Sequence, residues 1–332
     1  IYIKVAPHEK RGLTMRKSEV SKASAIAITL VLGVAAVLTL AGTAVASLEP
    51  GQTQMLTDTS AMADGVDTIS FQFRAFNPAN WTKIYVDSVA SDSASAVAYV
   101  VFNVTNSTTG AVLNVTTGLY ATDYFRVNTN VSSGGSEFIN VTLNSTEPVL
   151  RFKIRLEDDG NPNNKTVMTA FTFTASKLVF DPSSVTIKAG TVSGDIYIKA
   201  TGAGGTYTDP GYEKPVEFSL DKPTYDVWII RDSTEYHLDS AKQLTMTKGE
   251  LRIRINGTKA DVYNLTVNAT EAPWLQNATL LLTINPAEAK YITATVDRAS
   301  MVAGSTTEYI NCTFYILDVF NNINRTAVAN VN

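Results

Sequence analysis

Fourteen asparagines carry the one chemistry that this sequence spells out repeatedly. Each is followed two residues later by Thr or Ser, the pattern at which an asparagine amide nitrogen becomes linked to a sugar. They are Asn80, Asn103, Asn106, Asn114, Asn130, Asn140, Asn144, Asn164, Asn256, Asn264, Asn268, Asn277, Asn311 and Asn324. The chain holds 23 asparagines. With Ser and Thr at roughly a fifth of its residues, chance supplies only about four or five such triplets. All but Asn130-Val131-Ser132 use Thr. An N-glycan is bulky and hydrophilic and belongs on an exported surface, so the excess points to the outside of a cell.

Other chemistry is sparse. Asp158, Asp159, Asn161 and Asn163 cluster around Gly160 and Pro162, and closely spaced hard oxygens beside a glycine suit a flexible Ca²⁺ shell. The same stretch reads equally as a polar turn that presents the sequon at Asn164. A structural Ca²⁺ at this loop is the only cofactor suggested. The two histidines are His8 and His237, and Cys312 is the one cysteine. Such a set builds no Cys/His metal centre and no Cys–His dyad. No nucleophile elbow, metalloprotease helix or phosphate loop occurs, and no pair of carboxylates is marked as a glycosidase pair. The expectation is a protein that is not an enzyme. Tyr207, Tyr212, Tyr225, Trp228 and Tyr236 concentrate aromatic side chains, either as a platform for sugars or as core. His237 reads as a surface residue. Cys312 is expected inside, as a small hydrophobe.

The formal charge of the chain is −4. Residues 1–46 contain six basic and two acidic residues, so the remainder holds 21 basic and 29 acidic, a net −8. That balance excludes a nucleic-acid partner, which needs a basic stripe. Residues 1–14 read as an extension upstream of a natural start at Met15. Arg16, Lys17 and Lys22 precede the apolar stretch Ala23 to Leu40, and Ala44-Val45-Ala46 is a small-x-small cleavage site ahead of Ser47. Residues 15–46 are thus expected to be a signal peptide. Two alternatives stay open: an uncleaved anchor over Ala23 to Ala46, and a prepilin-type cut at Lys22-Ala23 that would leave Ser24 first.

The elements that must position these residues are strands. Period-2 alternation dominates after Ser47, and no convincing amphipathic helix follows. The clearest strand, Val149 to Leu156, sets Leu150, Phe152, Ile154 and Leu156 against Arg151, Lys153 and Arg155. Segments 69–73 and 251–255 alternate likewise. Further candidates are 96–105, 136–143, 167–174, 184–188, 194–200, 215–220, 225–230, 261–267, 278–284, 290–296, 308–317 and 327–331. Turn clusters separate them at Gly134-Gly135, Gly202 to Gly205, Asp209-Pro210-Gly211 and Asn321-Asn322. The expected fold class is all-β, in tandem Ig-like antiparallel sandwiches behind an N-terminal hydrophobic helix. A strand puts both recognition residues of Asn-x-Thr on one face. Asn140, Asn264 and Asn311 are accordingly expected to point outward.

A modest repeat aligns Ala189-Gly190-Thr191 with Ala303-Gly304-Ser305, and Gly65 to Phe71 is a weaker third instance. Met301 to Ser305 leading into Tyr309-Ile310-Asn311-Cys312-Thr313-Phe314-Tyr315-Ile316-Leu317-Asp318-Val319-Phe320-Asn321-Asn322 resembles the opening hairpin of invasin/intimin-type bacterial Ig-like domains. Gly65-Val66-Asp67-Thr68-Ile69 is similar to the same family's first core strand. With the sequons and signal segment, the chain resembles the N-terminal part of an archaeal S-layer or cell-surface glycoprotein over about residues 60–332. The expected organisation is a sandwich over 47–176, an Ig-like sandwich over 177–286, and the start of a further, truncated domain over 287–332. Only three strand candidates follow Ala287, against about seven in a sandwich, so Asn332 is expected to be an artificial end.

The resemblance implies an extracellular structural protein that self-associates or joins other envelope proteins. It would meet the membrane only through its signal segment or a C-terminal anchor. An adhesin or surface filament, and a non-catalytic module of an extracellular enzyme, are the alternatives.

Overall fold

The computed structural model describes residues 48–117, 123–304, 307 and 309–327. The expected signal helix and upstream extension lie outside these residues, as does all of the last strand candidate except Ala327.

From Pro50 onward the chain forms one unit, built from two pairs of facing five-stranded sheets and a hairpin. In the first pair, sheet A runs β1 (Thr53–Met55), β3 (Ile69–Arg74), β8 (Phe138–Ser145), β5 (Val100–Asn106), β6 (Val112–Thr117). Sheet B runs β2 (Ser60–Met62), β10 (Asn161–Thr174), β9 (Val149–Asp158), β4 (Thr82–Ser88), β7 (Phe125–Val127). In the second pair, sheet C runs β11 (Lys177–Asp181), β13 (Ile196–Thr201), β18 (Glu250–Gly257), β15 (Val227–Arg231), β16 (Thr234–His237). Sheet D runs β12 (Ser184–Lys188), β20 (Ala278–Asn285), β19 (Asp261–Ala269), β14 (Pro215–Leu220), β17 (Lys242–Thr245). The second strand order is the first with ten added to every number. The hairpin of β21 (Ala289–Val296) and β22 (Cys312–Asp318) pairs as β1 does with β3 and as β11 does with β13.

Each pair of sheets closes on its own core. In the first, Phe71 from sheet A meets Phe171 from sheet B at 6.0 Å between ring centroids, and Phe152 stacks on Phe173 at 5.9 Å. In the second, Ile196, Ile198, Ile253 and Ile255 from sheet C face Leu265, Val267, Leu280 and Leu282 from sheet D, all buried. The alternation that hides these residues turns every second side chain to solvent. Asn140 and Thr142 therefore flank buried Val141, and Asn264 and Thr266 flank buried Leu265.

Several expectations are corrected. Pairing is antiparallel except that β2 runs parallel to β10 and β12 to β20. Ala96–Tyr99 is a 3-10 turn, so β5 starts only at Val100. Leu150 does not share the core face of Phe152. Arg151 has φ 44°, which bulges β9 and puts Val149 inside instead. Cys312 is exposed, because the apolar face of the hairpin (Ile292, Val296 and Phe314, each about half exposed) has no second sheet across it among the described residues.

Candidate functional site: sequon faces, an aromatic row and the joints

The acidic loop lies at the turn between β9 and β10. Asp158 is buried, and its Oδ1 accepts from Asn80 Nδ2 at 3.0 Å and from the Gly160 N–H at 2.9 Å. Asp159 pairs with Lys83 and Arg126, each at 3.2 Å. Asn161 accepts the N–H of Asn163 at 3.2 Å, and both are exposed. One carboxylate thus holds the turn and the other lies between two cations. No group of three or more His, Cys, Asp or Glu side chains converges among the described residues.

None of the fourteen sequon asparagines is buried. Asn103, Asn106, Asn114, Asn140 and Asn144 lie on strands of sheet A, and Asn264 and Asn268 on β19 of sheet D. The outer face of sheet A is a polar lattice. Ser70 and Thr142 share a hydrogen bond of 3.0 Å, and Gln72 Nε2 donates to Asn140 Oδ1 at 2.9 Å. Sheets B and C instead turn charges outward, including Lys153 and Arg155, and Arg252 and Arg254. Asn264 and Asn311 share a geometry that sequence patterning did not reveal. Each gives its backbone N–H and its side-chain Nδ2 to the two oxygens of one carboxylate, Asp221 at 3.0 and 3.0 Å and Asp297 at 3.0 and 2.7 Å. Asn130 is held through its amide: Nδ2 donates to the Ala79 carbonyl at 2.8 Å, and Oδ1 is buried without a donor among the described residues.

The aromatic residues divide. Tyr212 is core, and Tyr236 packs against it. Tyr207 meets Tyr99 edge-on at 5.7 Å, where the second sandwich touches the first. Tyr225 and Trp228 flank His237 on the outer face of sheet C, at 5.6 and 5.2 Å between centroids. His237 is thus half-buried between two rings and not a plain surface residue.

The joints are built alike. Ahead of β11, the Ala175 N–H donates to Asp209 Oδ2 at 2.8 Å, and Asp209 Oδ1 accepts from Gly211 at 2.9 Å. Ahead of β21, the Ala287 N–H donates to Asp318 Oδ2 at 2.8 Å, and Asp318 Oδ1 accepts from Phe320 at 2.8 Å. Burial pushes the Asp209 carboxyl above its ordinary range, and the N–H groups of Ala175 and Gly211 offset only part of that. Burial acts on Asp318 in the same direction. There the Asn322 side chain and the N–H groups of Asn322, Ala287 and Phe320 outweigh it and hold the carboxyl below the ordinary range. The glycine-rich segment 202–205 closes the first joint: the Gly204 N–H donates to the Thr146 carbonyl at 2.9 Å and that of Ala203 to Ala63 at 2.7 Å. Buried Glu147 receives the N–H groups of Thr206 and Tyr207 at 2.9 and 3.0 Å. Ala175 and Asp209, with Leu150, Tyr212, Lys214 and Trp274, line a cavity of ≈ 150 Å³.

No family model matches the chain, and no curated protein matches it. Among solved structures it is similar to InvD of Yersinia pseudotuberculosis, at 17% identity and TM-score 0.32, over 83% of this chain and 73% of that one. It is similar to invasin, described as a bacterial integrin-binding protein, at 16% identity and TM-score 0.35, over 83% and 48%. Domains 5–6 of the S-layer protein SbsC match at 13% identity and TM-score 0.25, over 45% and 65%. The matches also include β-glycosidases. At these identities and scores, no conclusion about function follows from the likeness.

Proposed function

We propose that the chain is an exported, N-glycosylated structural protein of a cell surface, with rigid sandwiches as spacers and glycans covering outward sheet faces. The observation that carries this reading is the placement of the sequons. Asn is disfavoured in strand interiors, yet Asn103, Asn140 and Asn264 occupy mid-strand positions and face outward. Sugar attachment gives asparagine a reason to be there. The repeated joints support the spacer role, because each fixes the start of one sandwich with a buried carboxylate instead of a loose linker. The hairpin β21–β22 is built as the opening of a third copy: its Ala287–Asp318 bond repeats Ala175–Asp209, and Gly304 repeats the left-handed turn of Gly190.

Intact glycopeptide mass spectrometry of the native protein tests this. Sugar is expected on most sequons, with exposed Asn103, Asn164, Asn264 and Asn277 occupied and Asn130 bare. Unmodified Asn103, Asn140 and Asn264 in native material would overturn the reading.

A further inference from the structure

We propose that the outer face of sheet C carries a ledge for the chain's own carbohydrate, on which the first sugars of a glycan at Asn256 lie over the rings of Trp228 and His237. This rests on the glycosylated reading above. Asn256, Trp228 and His237 form one row across three strands: Trp228 is the register partner of Asn256 on one side and of His237 on the other. Val227, Ile229, Ile255 and Gly257 alternate with them and are buried, so the row shares the solvent face. Directly opposed residues hold their Cβ atoms about 4.5–5.5 Å apart. A sugar on the Asn256 amide therefore begins beside the indole. Asn256 Oδ1 accepts the Gly257 N–H at 2.7 Å, which fixes the amide and turns Nδ2 away from that bond.

A pyranose ring has one face of C–H groups, and such a face packs well on the weakly negative face of an aromatic ring. Trp228 is half-buried, and its Nε1 is buried without an acceptor among the described residues, so what it offers outward is ring. His237 continues the surface at 5.2 Å, with its Nδ1 held by the Tyr225 carbonyl at 2.7 Å. Tyr225, 69% exposed, ends the ledge. These contacts set the ledge before any sugar arrives, which keeps the entropic cost of docking low. Among the sequon asparagines on described strands, Asn256 alone has an aromatic register partner. Asn140 pairs with Gln72 and Thr105, Asn264 with Leu281, and Asn268 with Glu217.

The test uses the full chain from a glycosylating host, with Trp81→Phe and Trp274→Phe so that Trp228 is the only indole. Glycopeptide mass spectrometry reads occupancy of Asn256, and acrylamide quenching reads cover over Trp228. Removing the sequon with Thr258→Ala should raise the quenching constant about twofold or more. Tyr225→Ala, at an exposed position, should raise it less while leaving Asn256 occupied. An occupied Asn256 with unchanged quenching in Thr258→Ala would overturn the ledge and leave the glycosylated reading intact. A bare Asn256 amid occupied sequons would also overturn the ledge. Bare sequons throughout would overturn both.

Discussion

Asp209 and Asp318 stand at the same place in successive copies of one fold, each taking the backbone N–H of an alanine two residues ahead of a first strand. Their carboxyls shift in opposite directions because burial weighs more on Asp209 and because Asn322, four residues after Asp318, adds two donors, whereas Glu213 occupies that position after Asp209.

Asp209→Ala should destabilise the protein by about 1–3 kcal/mol, because it strands the buried N–H of Ala175 and takes the acceptor from the N–H of Gly211. Denaturant unfolding checks this, with Asp58→Ala as a control at an exposed position expected within about 0.5 kcal/mol of wild type.

The two aspartates should give opposite pH dependence. The Asp209 carboxyl is raised by burial, so its stabilising contribution is full below its unfolded value near about 4 and is lost as pH rises through its folded value. The melting-temperature gap between wild type and Asp209→Asn should therefore shrink from about pH 4 to pH 7. Asp318 is depressed by its donors, so its contribution is full above about pH 4 and is lost on further acidification. The gap to Asp318→Asn should shrink below that point. Melts of the three proteins from about pH 3 to pH 7 read both signs.

Gly202→Ala should loosen the first joint by about 1–3 kcal/mol. A Cβ there would fall on the Thr146 carbonyl oxygen and 2.8 Å from that of Ala63, both backbone atoms that cannot swing aside. Gly194→Ala, which meets nothing within 4 Å, is the control. Differential scanning calorimetry should show the two sandwiches melting less cooperatively in Gly202→Ala alone.

Calcium should raise the melting temperatures of wild type and the Asp158→Ala/Asp159→Ala double mutant equally, with the mutant lower by a constant offset. Asp158 already serves Asn80 and Gly160, and Asp159 already serves Lys83 and Arg126. A calcium shift confined to wild type would assign an ion to the loop.

The strands were legible where alternation was strong. The expected 184–188 and 215–220 match β12 and β14, and 251–255 lies inside β18. Less visible were strands with few apolar residues, such as β16 (TEYH) and β17 (KQLT). Their places are set by pairing with a neighbour and not by a face of their own. Leu150 misled because pattern cannot show a bulge. The joints were hidden for another reason: Asp209 looked like turn punctuation, and only folding brings Ala175 to it across 34 residues. Trp228 and Asn256 likewise become neighbours only through the register of β15 on β18.

The parallel ladder of β12 on β20 has a mechanical consequence. It joins an early strand of the second sandwich to its last, through five registered pairs from Ser184–Leu281 to Lys188–Asn285. Tension that drew the two ends of this sandwich apart would slide these strands lengthwise. All the ladder's hydrogen bonds would then share the load at once, instead of opening singly like a zipper. The first sandwich closes the same way, β2 on β10, from Ser60–Thr172 to Met62–Thr174. A chain of such units resists being pulled out of shape at the seam where each one ends.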